Sequence, residues 1–190
     1  GRSGELAPGR PRKWNLMGAI YCLLSVDWEL DHGPWRAPGS TLDYGGALRG
    51  TPAFAELLDD LEIPCTWFVE ASDQEARDLP RRLPEAVRGL LARGRDEVGL
   101  HIHWERAVPG QGVIYETGDR AWLGERLAEG AAGIAALGRK VESFRGGAFL
   151  RVAGLPCLLS QTGIRNDSTV LWRGCRPVRS DRRAARPTSK

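Results

Sequence analysis

From residue 19 to residue 170, short apolar runs alternate with stretches of helical spacing, and this alternation restricts the fold more than any overall property of the chain. Residues 19–27 form an apolar run bounded by charges, long enough for a buried strand. A polar loop rich in Gly and Pro follows as far as Gly50. Thr51-Pro52 then predicts an N-cap with proline at the first helical position, with Phe54, Leu57, Leu58 and Leu61 at helical spacing. Residues 64–69, rich in Thr, Trp, Phe and Val, predict a second strand. A helix over 83–93 is expected to end at Gly94 as its C-cap. Residues 97–103 predict a third strand. A loop carrying Pro109, Gly110 and Gly112 leads to a helix over about 119–137, closed by Gly138. A strand over 141–145, a helix over 152–162 and a strand over 164–170 complete the pattern.

Strands separated by helices predict parallel βα units, with chemically active groups at the carboxyl ends of the strands. Asp27, Glu29, His101, His103, Arg145 and Asp167 all fall at such ends, so residues distant in sequence are expected to line one rim. The fold class expected is α/β, a distorted (β/α) barrel. With 190 residues the chain is shorter than the ~250 typical of such a barrel. About five βα units are therefore expected, in an incomplete barrel.

At 42% hydrophobic and 27% charged residues, the composition is that of one globular domain. No apolar run approaches the ~20 residues of a membrane span. Residues 17–26 run into Asp27-Trp28-Glu29 without a small-residue cleavage site, and so read as a strand, not a signal peptide. A cytoplasmic location is the default expectation. Cys22, Cys65, Cys157 and Cys175 lack the spacing of a zinc site or a disulfide scaffold. Cys22 and Cys65 fall in predicted strands, where a free thiol behaves as a small hydrophobe.

Residues 1–16 read as a disordered lead rich in Gly, Pro and Arg, and residues 17–172 as the folding body. Residues 173–190 carry seven basic residues and one acid, a net of +6. The whole chain carries +3, so the remainder is at −3. Such a tail reads as disordered. It has no interleaved aromatic residues to stack on bases, so no nucleic-acid partner is expected, and no membrane partner either.

The sharpest motif is Gly99-Leu100-His101-Ile102-His103-Trp104-Glu105. Strand side chains alternate faces, so His101 and His103 share one face and can share one metal ion. Glu105 joins them if the extended backbone persists. Only three histidines occur in the chain, and two are here. The third, His32, follows Asp31 in a loop and reads as an exposed residue. Ser25-Val26-Asp27-Trp28-Glu29 ends the first strand with Asp27 and Glu29 on one face, as a general base or a metal-sharing pair requires. On that motif alone, two solvated loop acids would serve as well. Ser143-Phe144-Arg145-Gly146-Gly147 ends the fourth strand with a guanidinium able to hold a carboxylate by paired hydrogen bonds.

In their order along residues 18–172, Asp27, Thr66-Trp67-Phe68-Val69, the Gly-Leu-His strand, Phe-Arg-Gly-Gly and residues 163–168 (Gly-Ile-Arg-Asn-Asp-Ser) resemble the polysaccharide deacetylase family. The resemblance implies a seven-stranded βα barrel that removes acetyl groups from N-acetylated sugars with zinc or a similar divalent ion. By position, Asp27 matches the family's general base, His101 its first metal histidine, and Arg145 the arginine that orients the base. The metal would polarise the acetamide carbonyl.

There are departures from the family pattern. Trp28 stands where the family has a second, metal-binding aspartate, and Glu29 is the nearest substitute. Glu105 stands where the family has its second histidine, so His103 or Glu105 must complete the site. Gly147 stands where the family has proline. No histidine follows His103 to act as the family's late general acid. The expected set is therefore Asp27 and Arg145 as catalytic residues, and His101, His103 and Glu29 on a zinc or similar ion. The substrate expected is a carbohydrate or a small amide. The alternative is a non-catalytic carbohydrate-binding or interaction remnant of the same fold, with Trp28, Trp35 and Trp104 at the rim to stack on sugars.

Overall fold

A five-stranded parallel sheet orders the molecule, in a computed structural model that describes residues 22–30, 44–71, 78–150 and 152–169. Its strands are β1 (Leu24–Trp28), β2 (Cys65–Glu70), β3 (Glu97–Ile102), β6 (Ser143–Gly146) and β7 (Asn166–Asp167), adjacent in that order. A separate antiparallel hairpin pairs β4 (Glu105–Val108) with β5 (Gly112–Tyr115). The helices are α1 (Gly45–Asp60), α2 (Leu79–Arg82), α3 (Pro84–Ala92), α4 (Arg120–Ala135) and α5 (Leu155–Thr162). Neighbouring sheet strands are thus consecutive along the chain, apart from the hairpin. The order is that of a singly wound βα structure; five strands do not by themselves close a barrel.

Register sorts the strand residues onto two faces. Trp28, Val69, Leu100 and Phe144 lie in one row across the sheet. With Trp67, Val98 and Ile102 they join Leu58, Val87, Leu90, Leu123, Leu127 and Ile134 of the helices in one core cluster. Phe54 of α1 meets the Trp67 ring edge-on, with centroids 6.0 Å apart. Gly130 lets α4 approach closely: a Cβ there would lie 2.5 Å from the Ala71 carbonyl oxygen. On the opposite face, pairing aligns Asp27, Phe68 and Gly99 in one row, and Glu70, His101 and Arg145 in the next. Phe68 is buried but lies outside the core cluster.

Asp96, immediately before β3, ties the amino-terminal end of the sheet to the helices. Its carboxylate accepts from the Cys65 backbone N–H at 3.1 Å, the Trp67 indole at 2.7 Å and the Arg93 guanidinium at 2.5 Å. Arg93 also donates to Asp59 at the end of α1. Burial opposes ionisation of Asp96, but the Arg93 and Trp67 hydrogen bonds outweigh it and hold its pKa below the usual carboxylate value.

Several boundaries differ from the sequence reading. Thr51-Pro52 does not start α1, which begins at Gly45 and carries Pro52 inside it. The Thr51 hydroxyl, expected to cap, instead donates to the Ala47 carbonyl one turn back and accepts from the Trp28 indole. Gly94 is not among the left-handed glycines, whereas Gly138 is, at φ 119°. The loop around Pro109 is the turn of the β4–β5 hairpin, with Gly110 and Gly112 at positive φ. Strand β7 is short, and Val170 lies outside the described residues, as do residues 1–21 and 170–190.

Cys22 is exposed and outside β1, contrary to its predicted place in a strand. Cys65 is buried in β2 as expected; burial and the nearby Asp96 charge push its thiol up to about 11, which leaves it protonated at neutral pH. Cys157 is an exposed free thiol, and Cys175 lies outside the described residues. Among the described residues no helix is long and apolar enough to cross a membrane.

Candidate metal centre

Glu29 lies just past β1, His101 within β3 and His103 just past its end. All three reach the same point on the polar face of the sheet. His101 Nε2 is 3.1 Å from Glu29 Oε2, His103 Nε2 is 2.6 Å from the same oxygen, and the two nitrogens are 3.1 Å apart. Among the described residues, these are the three that could hold a metal, with ligand atoms all within 4.8 Å of one another. Burial opposes the Glu29 charge, but hydrogen bonds from His101 and His103 outweigh it and hold its carboxyl far below the usual range.

The donor set fits a divalent cation on chemical grounds. Two imidazoles and one carboxylate are a ligand set of catalytic zinc sites, which keep further positions open. Without an ion, each Nε2 can satisfy the carboxylate only as an N–H donor, and the two N–H bonds then crowd each other. Three lone pairs converging on one cation remove that conflict. One feature of such sites is missing: the buried His101 Nδ1 has no hydrogen-bond partner, where a metal-bound imidazole usually donates to an acceptor.

Beside the cluster, Arg145 organises a second group. Its Nη1 donates to Asp27 Oδ1 at 2.7 Å, its Nη2 to Ser25 Oγ at 2.7 Å and its Nε to Ser168 Oγ at 2.9 Å. The guanidinium carbon lies 4.2 Å from the Phe68 ring centre, a cation–π contact. Gly99 makes room for that ring, since a Cβ there would lie 2.8 Å from it. Asp27 Oδ2 accepts no hydrogen bond among the described residues.

The structure therefore brings together His101, His103 and Glu29, and separately Asp27 and Arg145. Glu105 does not join the histidines. The chain leaves β3 after Ile102, and Glu105 opens the hairpin as a buried residue of β4. Asp167 is exposed and accepts from the Thr169 backbone N–H. Trp28 and Trp104 are 3% and 0% exposed, so neither can stack on a sugar as expected. Trp28 alternates with Asp27 and Glu29 and so faces the helices, a consequence already present in the strand pattern. Asp31, His32 and Trp35 lie outside the described residues.

Three contributors escaped the sequence reading. Glu70 is fully buried beside His101 in the register, and its Oε2 accepts from the Leu30 N–H at 3.0 Å, fixing the backbone next to Glu29. Alternation from Phe68 to Glu70 was its available signal. Ser25 and Ser168 hold Arg145, and only the folded chain brings them to it. A cleft of about 490 Å³ lies between β1 and α1, where Asp27 and Glu29 border it together with Val26, Trp28, Phe54 and Trp67; His101, His103 and Arg145 do not line it. Its size is that of a small-ligand site. No family model matches the chain, and no curated protein matches it.

Proposed function

We propose that the chain is a metal-dependent amide hydrolase of the polysaccharide deacetylase type, acting on an N-acetylated sugar or a related amide. The observation that carries this reading is the convergence of Glu29, His101 and His103 beside the Arg145–Asp27 pair. A divalent ion, zinc first, would be held by His101 Nε2, His103 Nε2 and a Glu29 oxygen. When bound, it supplies the Lewis acidity that polarises an amide carbonyl and acidifies water.

The chain's own residues supply the rest. Asp27 is the general base: Arg145 fixes one of its oxygens, which leaves Oδ2 to take the proton of an attacking water. Ser25 and Ser168 hold the guanidinium so that the carboxylate keeps one orientation. Glu70 anchors the backbone beside Glu29. The barrel of the resembled family is the architecture proposed, with the parallel sheet as its wall.

The test is metal content of the purified chain after incubation with zinc, measured by elemental mass spectrometry beside a folded His101→Ala/His103→Ala variant. Near-stoichiometric zinc lost in the variant, together with acetate release from N-acetylated sugar oligomers by the wild type alone, is the expected result. A folded wild type without metal, or hydrolysis that survives loss of both histidines, overturns the mechanism.

A further inference from the structure

His103 lies beyond the last residue of β3, so strand alternation no longer dictates where its ring points. Its placement must come from contacts. On one side its ring meets His101, with centroids 4.9 Å apart and planes at 77°. On another it lies against Gly147: a Cβ at that position would be 2.6–2.7 Å from three of the ring atoms, Cγ, Cδ2 and Nδ1. Real Cβ atoms essentially never come so close.

The backbone at Gly147 is not free to retreat. Arg145 is tied to Asp27, Ser25 and Ser168, and the Gly146 N–H donates to Thr169 Oγ1 at 2.9 Å. Gly147 then opens a short 3-10 turn, Gly147–Phe149, in which Ala148 and Phe149 both take positive φ, at 53° and 51°. Left-handed backbone costs a residue with a side chain roughly 1 kcal/mol or more. The turn is thus anchored at its start in a costly shape, and that shape presses a bare Cα against an imidazole.

We propose that Gly147 is the positioning residue for His103: the missing side chain at 147 leaves the space in which the His103 ring turns its Nε2 onto Glu29. This rests on the metal-site reading for its consequence, and on sterics alone for its geometry. A Cβ at 147 moves the ring, withdraws Nε2 from the cluster and leaves His101 and Glu29 as an incomplete pair.

The experiment compares wild type, Gly147→Ala, His103→Ala, the Gly147→Ala/His103→Ala double variant, and Gly89→Ala as a control whose added Cβ meets nothing within 4 Å. Zinc titration is expected to show Gly147→Ala weakened by at least the ~10–100-fold that loss of an outer-sphere support costs, since a ligand itself is withdrawn. The double variant should bind no more weakly than His103→Ala, because both changes remove one ligand. A second readout needs no metal: carbethoxylation of His103, followed by peptide mass spectrometry, should speed up several-fold in apo Gly147→Ala and stay unchanged in Gly89→Ala.

Zinc affinity and labelling both at wild-type levels in folded Gly147→Ala overturn the proposal, as does a double variant that loses far more affinity than His103→Ala. If wild type takes no zinc while His103 labelling still rises in Gly147→Ala, the metal reading fails and the positioning role stands. If Gly147→Ala does not fold, recovery of folding in the double variant supports the ring as the obstacle. A double variant that is also unfolded places the cost of the Cβ elsewhere and overturns it.

Discussion

The two faces of the central sheet are made from alternate residues of the same strands, yet they are held together by different physics. The face toward the helices is continuous hydrocarbon, in which Trp28, Trp67, Val69, Leu100, Ile102 and Phe144 are all nearly or completely buried. Its stability comes from area removed from water and is non-directional. The other face carries Ser25, Asp27, Thr66, Glu70, Glu97, His101, Ser143 and Arg145 around the buried Phe68 ring, and its polar side chains meet in oriented hydrogen bonds and ion pairs. At its amino-terminal end Thr66 and Ser143 both donate to Glu97, and Asn166 donates to Ser143. At its carboxyl end the same economy produces the histidine cluster and the Arg145 group. One face specifies that the chain folds; the other spends polar groups on geometry that folding alone does not require.

The contrast predicts that substitutions sort by face. Asp27→Asn keeps an oxygen for Arg145 but removes the base of the proposed mechanism, under which hydrolysis should fall by about 10²–10⁴-fold. The thermal midpoint should scarcely move, and calorimetry beside an acetate-release assay reads both. A large loss of stability would show that the polar face supports the fold after all. Trp67→Ala on the opposite face should cost about 3–5 kcal/mol in urea unfolding, while zinc bound per folded molecule stays at the wild-type level. A change in zinc stoichiometry would break the separation.

Asp96 gives the smallest and sharpest test, because it is a charged group serving the apolar side. Its folded pKa is depressed, so its contribution is fully present above the unfolded value of about 4 and is lost as pH falls through the lower, folded one. Asp96→Asn should therefore be about 1–2 kcal/mol less stable than wild type at pH 7, with the gap narrowing below about pH 4. A gap independent of pH would mean that the Arg93 charge contributes nothing.

Much of this division was legible in the sequence because strand alternation has a period of two. The period puts Asp27 and His101 on one face and buries Trp28 on the other, but Glu29 and His103 stand one residue past their strands, and contacts complete their placement. Legibility stops where backbone leaves the strand. Nothing local says that the chain turns after Ile102, which sends Glu105 into a hairpin and buries Trp104 against Phe144, with ring centres 5.7 Å apart. The start of α1 was misplaced because Thr51-Pro52 has the chemistry of a helix entry. Seven residues inside a helix, the same hydroxyl finds the Ala47 carbonyl instead. Ser25 and Ser168 are unremarkable until tertiary contacts place both on one guanidinium. Gly147 registers in sequence only as a residue where the resembled family has proline, and its use becomes visible only against the His103 ring.

Arg145 has one consequence that concerns shape. It sits on β6, while its partners Asp27 and Ser25 sit on β1, with β2 and β3 in between. Strands lie ~4.8 Å apart, so three spacings on a flat sheet would separate β1 from β6 by ~14 Å. That is more than one arginine and one serine can bridge. The sheet must therefore bow, with its polar side concave, and Arg145 stretches across the bow like the string of an arch. Fastened at one end and branching at the other, it makes the curvature of the wall and the aim of the Asp27 carboxylate a single mechanical variable. Flattening the arch would pull the two apart together.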